Sequence, residues 1–137
     1  MAIVFLGLGS NLGDREQYLC AARDAILQDV GEILAVSSIY ENDAAGFEGN
    51  AFCNQVIKVK TALHPECLLQ KTQEIETRMG RTHKTVIKNG TPVYRNRIID
   101  IDMLLYDDLQ IDTEKLTIPH PRMYEREFVM KLLGEFE

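Results

Sequence analysis

The stretch Arg95–Leu104, RNRIIDIDML, sets two arginines ahead of an apolar run that is interrupted by Asp100 and Asp102. Ile98 to Tyr106 has the composition of a strand, along which side chains alternate between two faces. The alternation predicts one set of residues that faces the helices: Ile99, Ile101, Met103 and Leu105. Asp100 and Asp102 fall on the opposite face, about 6–7 Å apart at Cα, because a strand rises ~3.3 Å per residue.

Two carboxylates on an exposed strand most often do nothing more than interact with water. Here a basic segment leads directly into the strand: Arg78 to Arg97 contains six Lys or Arg, together with His83, and no Asp or Glu. Mg²⁺ prefers a few carboxylates together with substrate phosphates, and basic side chains bind the same phosphates. The pattern therefore favours a Mg²⁺–polyphosphate site, although a solvated basic loop remains the alternative interpretation of the charge run alone.

The order of predicted elements gives the fold class. The elements are a strand at Ala2–Leu8, a helix capped by Asp14 and ending near Val30, strands at Ile33–Tyr40 and Phe52–Thr61, a helix from Pro65 to Gly80, and the strand Ile98–Tyr106. This order predicts an α+β, ferredoxin-like βαββαβ sheet with its helices packed on one face and the other face open. We expect one domain over residues 1–137, with a further helix within Met123–Leu133 and a short strand at Leu109–Ile111.

Composition excludes several classes of protein. The net charge of −6 argues against non-specific binding of nucleic acid over the whole surface. No apolar run approaches the ~20 residues that a membrane span requires, and the N-terminal MAIVFLGLGSN is predicted to form a first strand rather than a signal peptide. Cys20, Cys53 and Cys67 are widely spaced, as is typical of reduced thiols. We therefore expect a cytoplasmic monomer without nucleic-acid or membrane partners.

Five segments together resemble one known family. They are GSNLGD, TQEIETRMGR, RNRIIDIDMLLYD, LTIPHPRM and REFVM, and they are spread over nearly the whole chain. They are similar to the 6-hydroxymethyl-7,8-dihydropterin pyrophosphokinases of folate biosynthesis. The resemblance implies a ferredoxin-like enzyme that transfers pyrophosphate from ATP to the pterin hydroxymethyl group and releases AMP. GLGSNLGD is not a P-loop, so another device would have to hold the phosphates.

The resemblance also implies a role for particular residues. Asp100 and Asp102 would hold Mg²⁺, with two ions expected. Phosphate and catalytic contacts would come from Arg81, Arg97 and His120. Nucleotide contacts would come from Gln73, Glu76, Thr117 and Arg126. The pterin would lie against Gly46, Phe52, Asn54 and Phe128, with Asn54 as its hydrogen-bond partner and the two phenylalanines on either side of the ring.

The sequence departs from the family pattern at three places. Residues 42–46 read NDAAG, in which only Gly46 of the usual T-x-P-x-G remains. The basic segment has no Trp, so Tyr94 is expected to close the site, and the chain ends soon after REFVM. Residues 81–97 are expected to act as a mobile lid. Two alternatives stay open: a homologue that binds pterin or nucleotide without turnover, and a ferredoxin-like nucleic-acid-binding module that uses the basic segment and Phe52.

Overall fold

An antiparallel sheet forms the centre of the fold in a computed structural model that describes residues 1–11, 13–42, 51–80, 85–88, 91–94 and 98–136. The described strands are β1 (Ala2–Ser10), β2 (Gly31–Val36), β3 (Tyr40–Asn42), β4 (Phe52–Thr61), β5 (Thr85–Lys88), β6 (Thr91–Tyr94), β7 (Asp100–Tyr106), β8 (Ile111–Asp112) and β9 (Thr117–Ile118). The central sheet has the order β2–β4–β1–β7, and β3 pairs with the start of β4. Each neighbouring pair in it is antiparallel.

Helices α1 (Arg15–Asp29) and α2 (Pro65–Arg78) cover one face of this sheet. The Asp14 side chain caps α1 by accepting a hydrogen bond from the N–H of Gln17 at 3.2 Å, and Pro65 occupies the first turn of α2. Apolar residues along one side of each helix are buried against the strands and form the first core, whose fully buried members include Leu6, Leu19, Ile26, Leu68 and Ile75. Both predicted helices are therefore confirmed.

The third helix, α3 (Glu127–Gly134), lies against the opposite face of the sheet. It buries a second cluster, which consists of Val56, Leu104, Met123, Val129 and Leu132. The prediction that the helices pack on one face was therefore wrong for α3, since an amphipathic stripe shows which side of a helix is buried but not which face of a sheet receives it. None of the helices in the described ranges has the length and apolarity that crossing a membrane would need.

A bulge in β7 changes the predicted alternation near its end. Along β1, Phe5 pairs with Leu105 but the next residue, Leu6, pairs with Met103, so Leu104 is an extra residue in β7. Ile99, Ile101 and Met103 lie in the first core as predicted. Leu105 was predicted to face the same way, but it packs against the second cluster beside Leu104. The extra residue shifts the pleat, and the prediction for Leu105 was wrong for that reason.

Smaller pairings account for two other differences. Residues 81–97 were predicted to form a loop, but β5 and β6 pair antiparallel within them, with the sequence Asn-Gly at 89–90 between the strands. Residues 81–84, 89–90 and 95–97 lie outside the described ranges, so the lid hypothesis stays a prediction. The short strand expected at Leu109–Ile111 is β8, which begins at Ile111 and pairs with β9.

The strand predicted over Ile33–Tyr40 is divided at Ser37. The N–H of Ser37 donates to the carbonyl of Val56 at 2.8 Å, and the Ser37 hydroxyl accepts the N–H of Val56 at 2.9 Å. A side chain thus takes the place of one backbone group in the ladder, and the chain bends before it resumes pairing as β3. This division places Tyr40 opposite Asn54, near the start of β4.

Candidate active site

Strand register sets Asn54, Gly9 and Asp100 in one row across β4, β1 and β7. Neighbouring strands lie 4.7–4.9 Å apart, so the Cα atoms of Asn54 and Asp100 are about 10 Å apart. Gly9, which lies between them, has no side chain, and a Cβ placed there would lie 3.3 Å from Asn54 Oδ1 and 3.5 Å from Phe52 Cδ1. The row therefore joins the predicted pterin side to the predicted metal side across β1.

Asp100 and Asp102 both lie half-buried on the face that carries α3, opposite Gly9 and Gly7 of β1. This confirms that the two residues share a face. Asp102 lies near two cationic groups: its carboxylate oxygens are 3.6 Å from Arg126 Nη1 and 3.9 Å from His120 Nε2. The structure thus brings together three of the residues predicted for the phosphate and nucleotide side.

His120 is held by its backbone and by its ring. Its N–H donates to the carbonyl of Leu104 at 3.0 Å, and its Nδ1 accepts the N–H of Arg122 at 3.2 Å. With Nδ1 acting as an acceptor, a neutral ring carries its proton on Nε2, the atom that faces Asp102. His120 therefore presents a hydrogen-bond donor toward the aspartates in either protonation state.

Glu76 is buried against β7, whereas its position on α2 indicated only a helix face. It is 4% exposed, and its Oε2 accepts the N–H of Ile101 at 2.7 Å. Ile101 lies between Asp100 and Asp102 on β7, the edge strand, so Glu76 binds the outward N–H of the strand that carries the metal candidates. Gln73 is exposed on α2 and Thr117 is half-buried in β9. Among the described contacts, neither residue bonds to the aspartates.

Aromatic rings and one amide make up the predicted pterin side. Asn54 Nδ2 donates to the carbonyl of Tyr40 at 3.1 Å, which fixes the direction of the amide. Phe52 is half-buried beside Gly9, and the ring of Phe128 stacks on Tyr40 with centroids 5.9 Å apart and planes 8° apart. Tyr40 was missed by sequence reasoning, because only its pairing with Asn54 brings it here.

Three predicted residues, Gly46, Arg81 and Arg97, lie outside the described ranges, and their roles stay predictions. Within the described ranges no group of three or more His, Cys, Asp or Glu side chains is placed to hold a metal ion. Mg²⁺ bound with substrate phosphates takes only a few carboxylates from the protein, so the predicted metal role of Asp100 and Asp102 stays a prediction.

The sequence model of the 7,8-dihydro-6-hydroxymethylpterin-pyrophosphokinase (HPPK) family matches residues 5–137. The chain belongs to this family. It is 44% identical over 135 residues to the 2-amino-4-hydroxy-6-hydroxymethyldihydropteridine pyrophosphokinase of Bacillus subtilis, covering 97% of this chain and 77% of that one. The Aquifex aeolicus protein of the same name is 44% identical over 138 residues, covering all of this chain and 81% of its own. The family is one of pyrophosphokinases, enzymes that transfer a diphosphoryl group.

Solved structures give the same fold. The HPPK-DHPS of Plasmodium falciparum with pteroate matches with a TM-score of 0.71 at 17% identity, covering 97% of this chain and 38% of that one. At this identity the likeness shows the fold alone. The family match of the sequence, and not the structural match, therefore identifies the reaction as pyrophosphoryl transfer.

Proposed function

We propose that the protein transfers the pyrophosphoryl group of Mg–ATP to the hydroxymethyl group of 6-hydroxymethyl-7,8-dihydropterin on the sheet face that carries α3. The observation that supports it most is the row of Asn54, Gly9 and Asp100, which has the amide of Asn54 at one end and the carboxylate of Asp100 at the other. The pterin hydroxyl oxygen attacks the β-phosphorus, the bond from that phosphorus to the α–β bridging oxygen breaks, AMP leaves, and the hydroxyl proton passes to water.

Asp100 and Asp102 are proposed as the Mg²⁺ ligands. They offer hard carboxylate oxygens from one face of a strand, half-buried and close to cationic side chains, which suits Mg²⁺ shared with phosphates. Bound Mg²⁺ would neutralise phosphate charge, and two ions are proposed because a pair can stabilise both attacking and leaving oxygens. When a metal is bound, Asp102 would exchange its contacts with Arg126 and His120 for the ion, which frees both cationic groups for phosphate oxygens.

The remaining residues would act by position and charge. Arg126 and His120 are proposed to contact ATP, together with Arg81, Arg97, Gln73, Glu76 and Thr117. Asn54 and the rings of Phe52 and Phe128 would hold the pterin, with Gly46 nearby. Phosphoryl transfer through a loose transition state needs alignment and charge stabilisation more than proton removal, so we assign no general base.

The finer features of the fold and setting are proposals as well. We assign the sheet to the ferredoxin-like class, since the order β2–β4–β1–β7 is the order expected when each helix crosses over one intervening strand. We further propose a cytoplasmic monomer whose partners are ATP and the pterin, without nucleic-acid or membrane partners. The net charge of −6 supports the last point.

Product analysis tests the proposed reaction. The protein is incubated with Mg²⁺ and ATP, with and without the dihydropterin, and the nucleotides are separated. We expect AMP that appears only with the pterin, in equal amount to its pyrophosphate ester. ADP as the nucleotide product, or AMP that forms without the pterin, would contradict pyrophosphoryl transfer.

Gly9→Ala should raise the KM for the pterin about fivefold, since a displaced hydrogen bond weakens binding to about this extent. The added Cβ would lie 3.3 Å from Asn54 Oδ1 and would push the amide by a few tenths of an ångström. The KM for ATP should change less, because the atoms nearest to the added Cβ belong to Asn54 and Phe52. Steady-state kinetics with each substrate varied in turn measures both values.

Gly7→Ala is the matched control for that variant. Gly7 lies on the same strand and face, but the nearest atoms to a Cβ there are those of the Leu104 side chain, at an ordinary 3.5 Å. Its KM for the pterin should stay within about twofold of the wild-type value. If the Gly9 and Gly7 variants have the same KM for the pterin, the pterin ring does not lie over Gly9.

A further inference from the structure

Arg15, the first residue of α1, connects that helix to the paired ends of β3 and β4. Its Nη1 donates to the carbonyl of Ala51, just before β4, at 2.7 Å. Its Nη2 donates to the carboxylate of Glu41, in β3, at 2.9 Å. One guanidinium thus binds both strands at the end where residues 43–50 connect them in sequence.

Arg15 contacts these strand ends from the face of the sheet opposite to the proposed pterin side. Glu41 pairs with Cys53, whose side chain lies in the first core, and Cys53 Sγ lies 3.8 Å from Glu41 Oε2. Phe52 and Asn54, the neighbours of Cys53, project to the other face beside Gly9. Burial raises the pKa of the Cys53 thiol, which keeps it uncharged beside the pair.

The two bonds of Arg15 differ in strength. The Glu41 side chain is 57% exposed, so water screens its ion pair with Arg15, and exposed pairs contribute little. Both bonds have an ionised donor, but the bond to the Ala51 carbonyl is partly buried, so water competes with it less and it is the stronger of the two. The planar guanidinium of Arg15 holds the Ala51 carbonyl and the Glu41 carboxylate at a fixed separation. A lysine ammonium has no such rigid arrangement of donors.

We infer that Arg15 is a positioning residue for the pterin, an inference that rests on the proposed function. By fixing the ends of β3 and β4, Arg15 fixes the direction of Phe52 and of Asn54. The same two strands carry the bond from Asn54 Nδ2 to the Tyr40 carbonyl, and Tyr40 in turn stacks on Phe128. Loosening the strand ends would therefore disturb all three proposed ring contacts and none of the phosphate contacts.

Arg23 provides a matched control on the same helix. Its Nη1 donates to Gln55 Oε1 at 2.5 Å, so it also joins α1 to β4, but Gln55 bonds to the Ser37 carbonyl, away from the strand ends. Arg15→Ala should weaken binding of the pterin about tenfold, as expected when positioned contacts are misaligned. Arg23→Ala should leave it within about twofold, and Glu41→Gln, which keeps the Ala51 bond, within about threefold.

The measurement is calorimetric titration of the pterin in the presence of Mg²⁺ and a non-hydrolysable ATP analogue, with titration of the analogue alone and thermal melting alongside. A selective loss of pterin affinity in Arg15→Ala supports the inference. Unchanged pterin affinity in Arg15→Ala overturns the inference. An equal loss of pterin affinity in Arg23→Ala, or an equal loss of affinity for the ATP analogue in Arg15→Ala, also overturns it, because either result would show a merely structural role. If the wild type releases no AMP but its pterin binding still depends on Arg15, the proposed function is contradicted and the inference about Arg15 stands.

Discussion

Asp102→Asn should lower kcat by about a thousandfold or more, which corresponds to about 4 kcal/mol of lost transition-state stabilisation. Asparagine keeps the size of the side chain but removes the charge that would bind Mg²⁺ and that lies 3.6 Å from Arg126 and 3.9 Å from His120. Asp100→Asn should have an effect of the same order, because it shares the face and the half-buried setting. AMP release at saturating ATP and pterin measures both.

The fold should survive both substitutions, since neither carboxylate fills the first core or the second cluster. Thermal melting of each variant is the control. Asp107→Asn would be unsuitable for comparison, because Asp107 Oδ1 accepts the N–H of Ile3 at 2.7 Å. Asp108, an exposed neighbour, serves instead, and Asp108→Asn should retain full activity. Near-normal turnover in both the Asp100 and Asp102 variants at ordinary Mg²⁺ would exclude them as the metal ligands.

Glu76→Ala should have the second-largest effect, on both stability and turnover. It leaves the buried N–H of Ile101 without its 2.7 Å acceptor, which costs about 1–3 kcal/mol of unfolding free energy. The edge strand would then be free to shift, and a displacement of about 1 Å at Asp100 and Asp102 reduces turnover on the order of a hundredfold. Denaturant unfolding and AMP release measure the two effects.

Two further variants separate the possible roles of Glu76. Glu76→Gln retains an acceptor oxygen, so its unfolding free energy should lie close to that of the wild type, and any remaining loss of ATP affinity would mark a direct nucleotide contact. Glu74→Ala is the control: Glu74 is exposed on the same helix, where it pairs with Lys71 at 3.4 Å and accepts a hydrogen bond from Gln70 at 3.5 Å, and its removal should change stability by less than about 0.5 kcal/mol. Full stability in Glu76→Ala would refute the role assigned to its carboxylate.

Local rules were sufficient for much of this fold. The two-residue period of a strand placed Asp100 and Asp102 on one face, and capping by Asp14 and the first-turn Pro65 set the starts of two helices. These features depend only on neighbours in sequence. The pterin-side residues came from the family resemblance, because nothing in the local pattern distinguishes Phe52 from a core phenylalanine.

Other features depend on partners far away in the chain. The bulge at Leu104 is a matter of register with β1, and a run of apolar residues carries no sign of it. Glu76 is buried because α2 lies beside the edge strand, whereas its sequence position indicated only a helix face. Arg15 was overlooked for the same reason, since both of its partners lie more than two dozen residues away. The pairing of β5 with β6 was also missed, because the basic residues of this segment gave no indication of strands.

The central claim is that the pterin and the metal meet on one sheet face, at the two ends of the row formed by Asn54, Gly9 and Asp100. Paramagnetic relaxation tests it directly, with Mn²⁺ in place of Mg²⁺ and with a non-hydrolysable ATP analogue and the pterin bound. The row spans about 10 Å, so the relaxation of the hydroxymethyl protons should be strongly enhanced, and the enhancement should be lost in Asp102→Asn. Bound pterin whose protons relax at the same rate with and without Mn²⁺ would contradict the account.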